Sequence, residues 1–507
     1  MKLRLKSLAA LVLPVLVASI ACSAAPVPTP TPLARPAATI APPPSAEGLP
    51  PTPTLTLAPT DTPPPGPTAS PTVTPRVASA TPESVPVEPS RATVTPAPAL
   101  QPKATAASPV PSPEGDPRLR RVVDQIATVV STARGIKFLE PVHAQLVTRQ
   151  EIADYLVATI DAEDRENLAK MQELYWALGL LDRSVELYPL YLELLGEQVQ
   201  GLFNLETDEL LVVADSLPLN GSGKTTLAHE LVHALQQQRF DARRLVEEAE
   251  VNQDQELALV ALLEGDATLS SGLFITSGLS MSEMLELLQD ASLGLETPAL
   301  ANAPEVVRKT LLFPYETGLR FVSSFQQGPG IWRQVNKVYA RPPVSTEQIL
   351  HPAKYQAGEA PIPVSLPPVL PALGSEWALV AEDVIGEFLL RTYLNSVLPW
   401  PASVRAASGW GGDRFRLLRD GSGQRVFVSV IQWDTEIDAQ EFFDTYQEFT
   451  GAANPGSKKD AQANIVRWKS VGKSVLLRLD GGRTMIIMAP DPETIVLVET
   501  AIHGNLP

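Results

Sequence analysis

The sequence predicts an α+β protein. A mostly helical domain with a small sheet comes first, then an antiparallel α+β domain containing a ββα repeat, both behind a disordered Pro/Thr-rich segment. Three observations carry this. Of the 50 prolines, 27 fall between Pro26 and Pro113, a stretch without Phe, Tyr or Trp. Apolar residues then recur at helical spacing through most of 117–340. Finally, two strand–turn–strand–helix segments resemble each other near the C-terminus.

The first 22 residues read as a signal peptide: a basic start, then an apolar run from Leu8 to Ala21, too short for a comfortable membrane span. Its end, Ser19-Ile20-Ala21-Cys22, resembles a bacterial lipoprotein cleavage box, and Cys22 is the only cysteine of the chain. That resemblance implies lipidation at Cys22 and a membrane anchor; the alternative is ordinary secretion with an incidental cysteine. Residues 23–113 cannot bury enough apolar surface to offset the entropy of ordering, so they read as a disordered linker or stalk. The chain carries −17 and residues 1–113 carry +3, which leaves −20 on the rest. Such a balance argues against a nucleic-acid partner. One cysteine also excludes an internal disulfide framework and a cysteine-based zinc cluster.

The remainder divides into 114–360, a Pro-rich linker at 361–375, and 376–507. In the first part the pattern predicts helices over Arg118–Ser131, Thr148–Ala162, Glu166–Leu181 and Leu187–Val199. A hairpin follows in GLFNLETDELLVVAD, turning at Thr207-Asp208. After a turn at Asn220–Gly223 come helices near Lys224–Phe240, Gln255–Ser271, Ser280–Ala291 and Pro314–Tyr339. In the last part a helical stretch, Ala381–Val397, precedes RFRLLRDGSGQRVFVSVIQWDTEIDAQEFF and VLLRLDGGRTMIIMAPDPETIVLVETA. Each reads as strand, Asp-Gly turn, strand and helix, which predicts an antiparallel sheet with helices on one face.

The chemistry concentrates in His229-Glu230-Leu231-Val232-His233. Imidazoles at i and i+4 share one helical face and can hold one metal ion. Glu230 lies where a general base for an attacking water is needed. With five histidines in 507 residues, this pattern is a specific signal. A catalytic zinc takes three protein ligands. Glu264 is the leading third, because it ends the apolar run of LALVALLEGDA, where a carboxylate is buried and needs a partner. Asp266 is next, or serves as an acceptor for a ligand imidazole. His351 is a more distant candidate, and the acids between Glu247 and Glu256 read as a solvated face.

At these residues the chain resembles the gluzincin group of zinc metallopeptidases, with HExxH on one helix and Glu on the next. It is also similar to a family of uncharacterised bacterial and archaeal surface proteins classed with the metallopeptidases. The matching stretches are LAHELVHALQQQRFD, ALLEGDATL, LLFPYETGLRFV, RPPVSTEQILHPAKY, GWGGDRF and VIQWDTEIDAQEF. The resemblance implies a zincin-like fold for 114–360, with His229, His233 and Glu264 as Zn2+ ligands and Glu230 as base. The longer spacing from His233 to Glu264 implies an insertion or extra turn. The resemblance further implies that Tyr315 aims a phenol at the developing oxyanion; packing at a helix start is the alternative.

Other signals read as structural. Gly221-Ser-Gly-Lys224-Thr-Thr lacks the first glycine of a phosphate loop, since that position is Pro218, so it reads as a turn with Ser222 or Thr225 capping the next helix. Tyr175, Trp176, Tyr188 and Tyr191 read as core. Gly409–Gly412 reads as a tight strand entry, or as a loop that approaches another backbone or a ligand. The expected function is a membrane-tethered extracellular zinc peptidase acting on a protein or peptide substrate. The alternative is a non-catalytic surface-binding or scaffold lipoprotein on the same fold.

Overall fold

The structure, a computed structural model, describes residues 116–198, 201–249, 251–292, 297–326 and 331–503. The expected signal peptide, Cys22 and the segment 23–113 lie outside the described residues.

The carboxylate of Asp116 accepts from the Arg118 N–H at 2.8 Å, and Pro117 takes the first helical position, so α1 (Pro117–Arg134) starts there. Left-handed Gly135 ends it. After β1 (His143–Val147), capping boxes at Thr148/Glu151 and Asp161/Asp164 start α2 (Arg149–Thr159) and α3 (Ala162–Leu178). Then follow α4 (Leu187–Gln198), β2 (Gly201–Asn204) and β3 (Glu209–Val213). The hairpin is the expected one, with Asp208 at φ 57° in its turn. The sequence reading lacked β1, which pairs in parallel with β3 from His143↔Glu209 to Val147↔Val213 and gives the sheet order β1-β3-β2. HAQLV is nowhere fully buried, so it shows no strong apolar pattern.

The helical layer continues with α5 (Gly221–Phe240), α6 (Ala242–Ala249), α7 (Gln253–Gly278), α8 (Met281–Ser292), α9 (Pro298–Asn302), α10 (Glu305–Ser323) and α11 (Ile331–Ala340). The helix expected over Pro314–Tyr339 is two helices, with Pro314 inside α10. By length and composition α7 could cross a membrane, yet 83% of its apolar window is buried inside the protein, so here it is the central core helix. Short helices α12 (Thr346–Leu350), α13 (Pro352–Ala357) and α14 (Leu370–Leu373) lead to the second sheet.

That sheet contains β4 (Trp377–Asp383), β5 (Trp410–Asp420), β6 (Arg425–Trp433), β7 (Lys458–Gln462), β8 (Ile465–Ser470), β9 (Lys473–Asp480) and β10 (Arg483–Ala489). Helices α15 (Gly386–Asn395) and α16 (Trp400–Ala407) precede β5, α17 (Glu436–Ala453) follows β6, and α18 (Pro492–His503) follows β10. The strands run antiparallel in the order β4-β5-β6-β10-β9-β8-β7. The expected helix Ala381–Val397 is corrected: its start is β4, paired with β5, and α15 begins only at Gly386.

Both expected ββα units are present, as β5-β6-α17 and β9-β10-α18. Their helices, however, cover opposite faces. Phe442, Tyr446 and Phe449 of α17 share a core with Phe415, Phe427, Leu477 and Ile486. Ile495, Val498 and Ile502 of α18 share one with Leu418, Val426, Leu476 and Ile487. Adjacent strand residues such as Leu476 and Leu477 point to opposite faces, and both are apolar because both faces are covered.

The core beneath α17 also includes Tyr175, Leu194, Leu311 and Tyr315, so a single apolar cluster runs from the helical layer into the sheet. Segment 361–375 is packed as well. Leu366, Val369 and Leu373 are buried beneath α18, and the Ile362 N–H donates to Gly411 O at 2.6 Å. The glycines at 409–412 accordingly meet another backbone: a Cβ on Gly412 would stand 2.2 Å from Ile362 O.

Candidate metal centre

Helix α5 carries the first three site residues. Asn220 caps it, accepting from the Gly223 N–H at 2.8 Å, whereas the expected caps Ser222 and Thr225 lie inside the helix. Gly221–Lys224 therefore form its first turn, and Lys224 pairs with Glu283 of α8. Leu227, Leu231 and Leu235 pack with Val130 and Val212, which buries α5 between α1, the small sheet and α7. Each such leucine contributes roughly 1.5–3 kcal/mol. The extra length expected between His233 and Glu264 is helix α6, which brings the chain back along α7.

His229 Nε2 lies 3.0 Å from His233 Nε2 and 3.0 Å from Glu264 Oε2, and His233 Nε2 lies 3.5 Å from the same oxygen. Zinc bonds of about 2.0–2.1 Å in a tetrahedron place neighbouring donors about 3.3 Å apart. The three atoms therefore match three corners of a zinc site, and two imidazoles with one carboxylate suit that ion. His229 and Glu264 are buried, and His233 is 14% exposed, so solvent reaches the group from the His233 side.

The electrostatics suit a cation at this point. Burial lowers the His229 imidazole to about 4, leaving it neutral as a ligand must be. Burial alone pulls His233 down, but the charge and hydrogen bond of Glu264 outweigh it and lift His233 to about 9. Burial pushes Glu264 up, yet the two imidazoles win and hold it at about 2. Without a cation the cluster thus holds a proton on His233; a divalent ion would replace that proton.

Sequence reasoning missed the residue that sets the His233 tautomer. Gln236 Nε2 donates to Leu263 O at 2.8 Å, which turns Gln236 Oε1 toward His233 Nδ1, also at 2.8 Å. Nδ1 therefore carries the proton, and the lone pair of Nε2 faces the metal position. The available signal was a glutamine three residues after His233 on a buried helix. Asp266, expected as a third ligand or as an acceptor for a ligand imidazole, instead forms an ion pair with Arg134 at 2.7 Å and accepts from the Tyr339 hydroxyl at 2.6 Å. It ties α7 to α1 and α11. His229 Nδ1 has no hydrogen-bond partner among the described residues.

Glu230 is 4% exposed, and its Oε2 accepts from the Phe203 N–H of β2 at 2.7 Å. Burial raises its carboxyl to about 7, against the opposing pulls of His233 and the Phe203 N–H. The group is held beside the metal position by strand β2, at a basicity suited to moving protons near neutral pH.

Tyr315 reaches the same place. Its ring centre lies 6.3 Å from that of His229, and its hydroxyl hydrogen-bonds Glu264. Burial, then the charges of Glu264 and Glu230, hold the phenol well above its usual range, so it stays a donor. Two glycines permit this approach. A Cβ on Gly265 would stand 2.3 Å from the Gly318 carbonyl carbon, and one on Gly318 would stand 2.0 Å from Ala261 O. Helices α7 and α10 therefore touch backbone to backbone, one residue after Glu264 and one turn after Tyr315. An apolar cavity of about 50 Å³, lined by Tyr175, Tyr191, Val260, Leu311 and Phe388 among others, adjoins Tyr315. The tyrosines at 175 and 191 are core residues, as expected.

His351 is elsewhere, 3.1 Å from Glu387 and 3.0 Å from Arg391. The acids Glu347, Glu359 and Asp434 also come together, but Lys354 pairs with all three, so this cluster already has its cation.

Residues 377–499 match a family described as Domain of unknown function (DUF8575). The match covers the seven-stranded sheet and ends before the last turn of α18; it leaves out His229, His233 and Glu264. No curated protein matches the chain, and no solved structure does.

Proposed function

We propose that the chain is a zinc-dependent peptidase of the gluzincin type that hydrolyses peptide bonds. The observation carrying this reading is the convergence of His229, His233 and Glu264 at 3.0–3.5 Å with Glu230 beside them. A zinc ion held by these three residues would supply Lewis acidity, acidifying a water and polarising a carbonyl. Glu230 then accepts the proton of the attacking water and returns it to the leaving amine. Its Phe203 contact fixes the carboxylate for both transfers. Tyr315 keeps its single proton, which Glu264 accepts in the free site; turning that O–H from Glu264 to the substrate would supply a donor for charge developing on the carbonyl oxygen.

A lipid anchor at Cys22 and a stalk over 23–113 complete the proposal: a peptidase held at the outer face of a cell membrane. Glu230→Gln tests the catalytic part. It should keep about one zinc per chain and lower peptide hydrolysis by about 10²–10⁴-fold. Full activity in this variant would refute the role of Glu230.

A further inference from the structure

Behind His233 a chain of polar side chains crosses four helices. Arg134 closes α1, Gln236 stands on α5, Asp266 on α7 and Tyr339 on α11. All four are at most 4% exposed. Well-packed apolar residues often replace a buried ion pair at no loss of stability, so stapling helices together is a weak account of this set.

Each link runs in one direction only. Arg134 can only donate, and an ionised Asp266 can only accept. Their charged groups meet at 2.7 Å, on Asp266 Oδ1. The guanidinium also lies 4.3 Å from the Trp332 ring centre, which holds it in place. Asp266 Oδ2 takes the hydroxyl proton of Tyr339 at 2.6 Å. Tyr339 has no second proton, so its oxygen is the acceptor in its hydrogen bond with the Gln236 side chain. The Tyr339 ring stacks on Phe240 with centres 4.0 Å apart, which keeps the hydroxyl between these two neighbours. Gln236 Nε2 thus uses both its hydrogens, one on Tyr339 and one on Leu263 O. Gln236 Oε1 is left for His233 Nδ1, at 2.8 Å.

We propose that Arg134, Asp266 and Tyr339 are positioning residues: with Gln236 they form a one-way hydrogen-bond relay that fixes which nitrogen of His233 is presented to a metal. The relay rests on the reading of the centre as a zinc site, but not on hydrolysis.

Asp266→Asn is the sharpest probe, because it keeps the shape and reverses the direction. Arg134 and the Ser270 hydroxyl both face Oδ1, at 2.7 and 3.4 Å. The amide oxygen therefore takes that side, and the amide nitrogen faces Tyr339. The Tyr339 proton must then turn toward Gln236, whose amide has to flip and offer Nε2 to His233 Nδ1. The His233 proton moves to Nε2, where a metal needs a lone pair.

The test measures zinc affinity of the full chain by competition with a chromogenic chelator. Nitrogen-15 NMR follows His233 in the zinc-loaded chain, one of only five histidines to assign. The parent should show a slowly exchanging Nδ1–H on His233. Asp266→Asn should lose that signal and weaken zinc about tenfold or more. Tyr339→Phe keeps the ring stack, so it remains informative if Asp266→Asn fails to fold; it should weaken zinc about tenfold. Trp332→Phe removes a 2.8 Å bond to Ala133 O but no link of the relay. It should lower the unfolding midpoint and leave zinc affinity unchanged. The proposal is overturned if both relay variants bind zinc as the parent does, if the parent's His233 carries its proton on Nε2, or if Trp332→Phe weakens zinc as much as they do. A parent that binds zinc with this dependence but cleaves no peptide would contradict the proposed peptidase and uphold the relay.

Discussion

The helical layer around α5, α7 and α10 and the seven-stranded sheet are built from the same apolar currency but treat buried charge differently. Around α5 and α7 the interior holds His229, Glu230, Glu264, Asp266 and Arg134, all at most 4% exposed. The sheet fills its main core with Trp410, Phe415, Phe427, Trp433 and Phe442. Its buried Asp413 sits at the seam, accepting from the N–H groups of Ile385 and Gly386 and from Trp410. Unpaired buried ions cost several kcal/mol each, so a fold keeps them where they serve a site. The helices thus bury a cluster of ionisable groups around the proposed site, whereas the sheet's main core is aromatic and its buried acids, Asp383 and Asp413, lie at the seam.

The largest expected effect separates the two regions by metal. Chelation should lower the unfolding midpoint in the parent and leave His229→Ala unchanged, because a ligand at 1,000 times its Kd stabilises by about 4 kcal/mol. Trp433→Phe in the sheet should lower stability without changing zinc affinity. A parent chain indifferent to chelation in thermal melts would break the comparison.

Next comes the glycine contact. Gly265→Ala must push α7 from α10, at a cost of roughly 1–3 kcal/mol, and should also weaken zinc binding. Gly421→Ala, in the β5–β6 turn with nothing within 4 Å of its Cβ, should change neither quantity measurably. Denaturant midpoints and zinc titrations of the pair check this. Gln236→Leu should weaken zinc binding about 10–100-fold by releasing the His233 tautomer, measured by competition with a chromogenic chelator.

The smallest effect lies at the seam. Asp254, at the start of α7, accepts from the Thr346 N–H at 3.1 Å, and its carboxylate crowds Gly386 of α15. Burial raises its carboxyl to about 7, with the charges of Asp413 and Glu387 adding to the rise. The folded chain then binds an extra proton between the unfolded value near 4 and about 7. This contribution to stability is complete below pH ~4 and is lost as pH rises through ~7. Asp254→Asn should therefore flatten the fall in unfolding midpoint from pH 4 to 8; an unchanged slope would remove Asp254 from the seam's titration.

Legibility in the sequence followed the same division. The HExxH spacing and the buried position of Glu264 are local consequences of one helix and one apolar run, so the sequence sufficed to single out three side chains that the fold brings together. The hairpin β2–β3 and both ββα units were legible because alternation and Asp-Gly turns are local too. Strand β1 was not, since its five residues owe their conformation to β3, 62 or more residues away in sequence. The end of β4, Ala381–Asp383, was read as helix because that strand gains its character from pairing with β5. The opposite placement of α17 and α18 was hidden because apolar residues on consecutive positions do not say which face each helix takes. Gly265 and Gly318 stand inside stretches that carry the resemblance, but their need for glycine was not legible, because it arises from the backbone contact between α7 and α10.

The most direct test of the central claim is zinc K-edge X-ray absorption on the purified chain, with metal content measured in parallel. The account predicts about one zinc per chain bound by two imidazoles and one carboxylate at about 2.0–2.2 Å, with the carboxylate contribution lost in Glu264→Ala. A chain purified with zinc available that binds none, or a spectrum unchanged by Glu264→Ala, would contradict it.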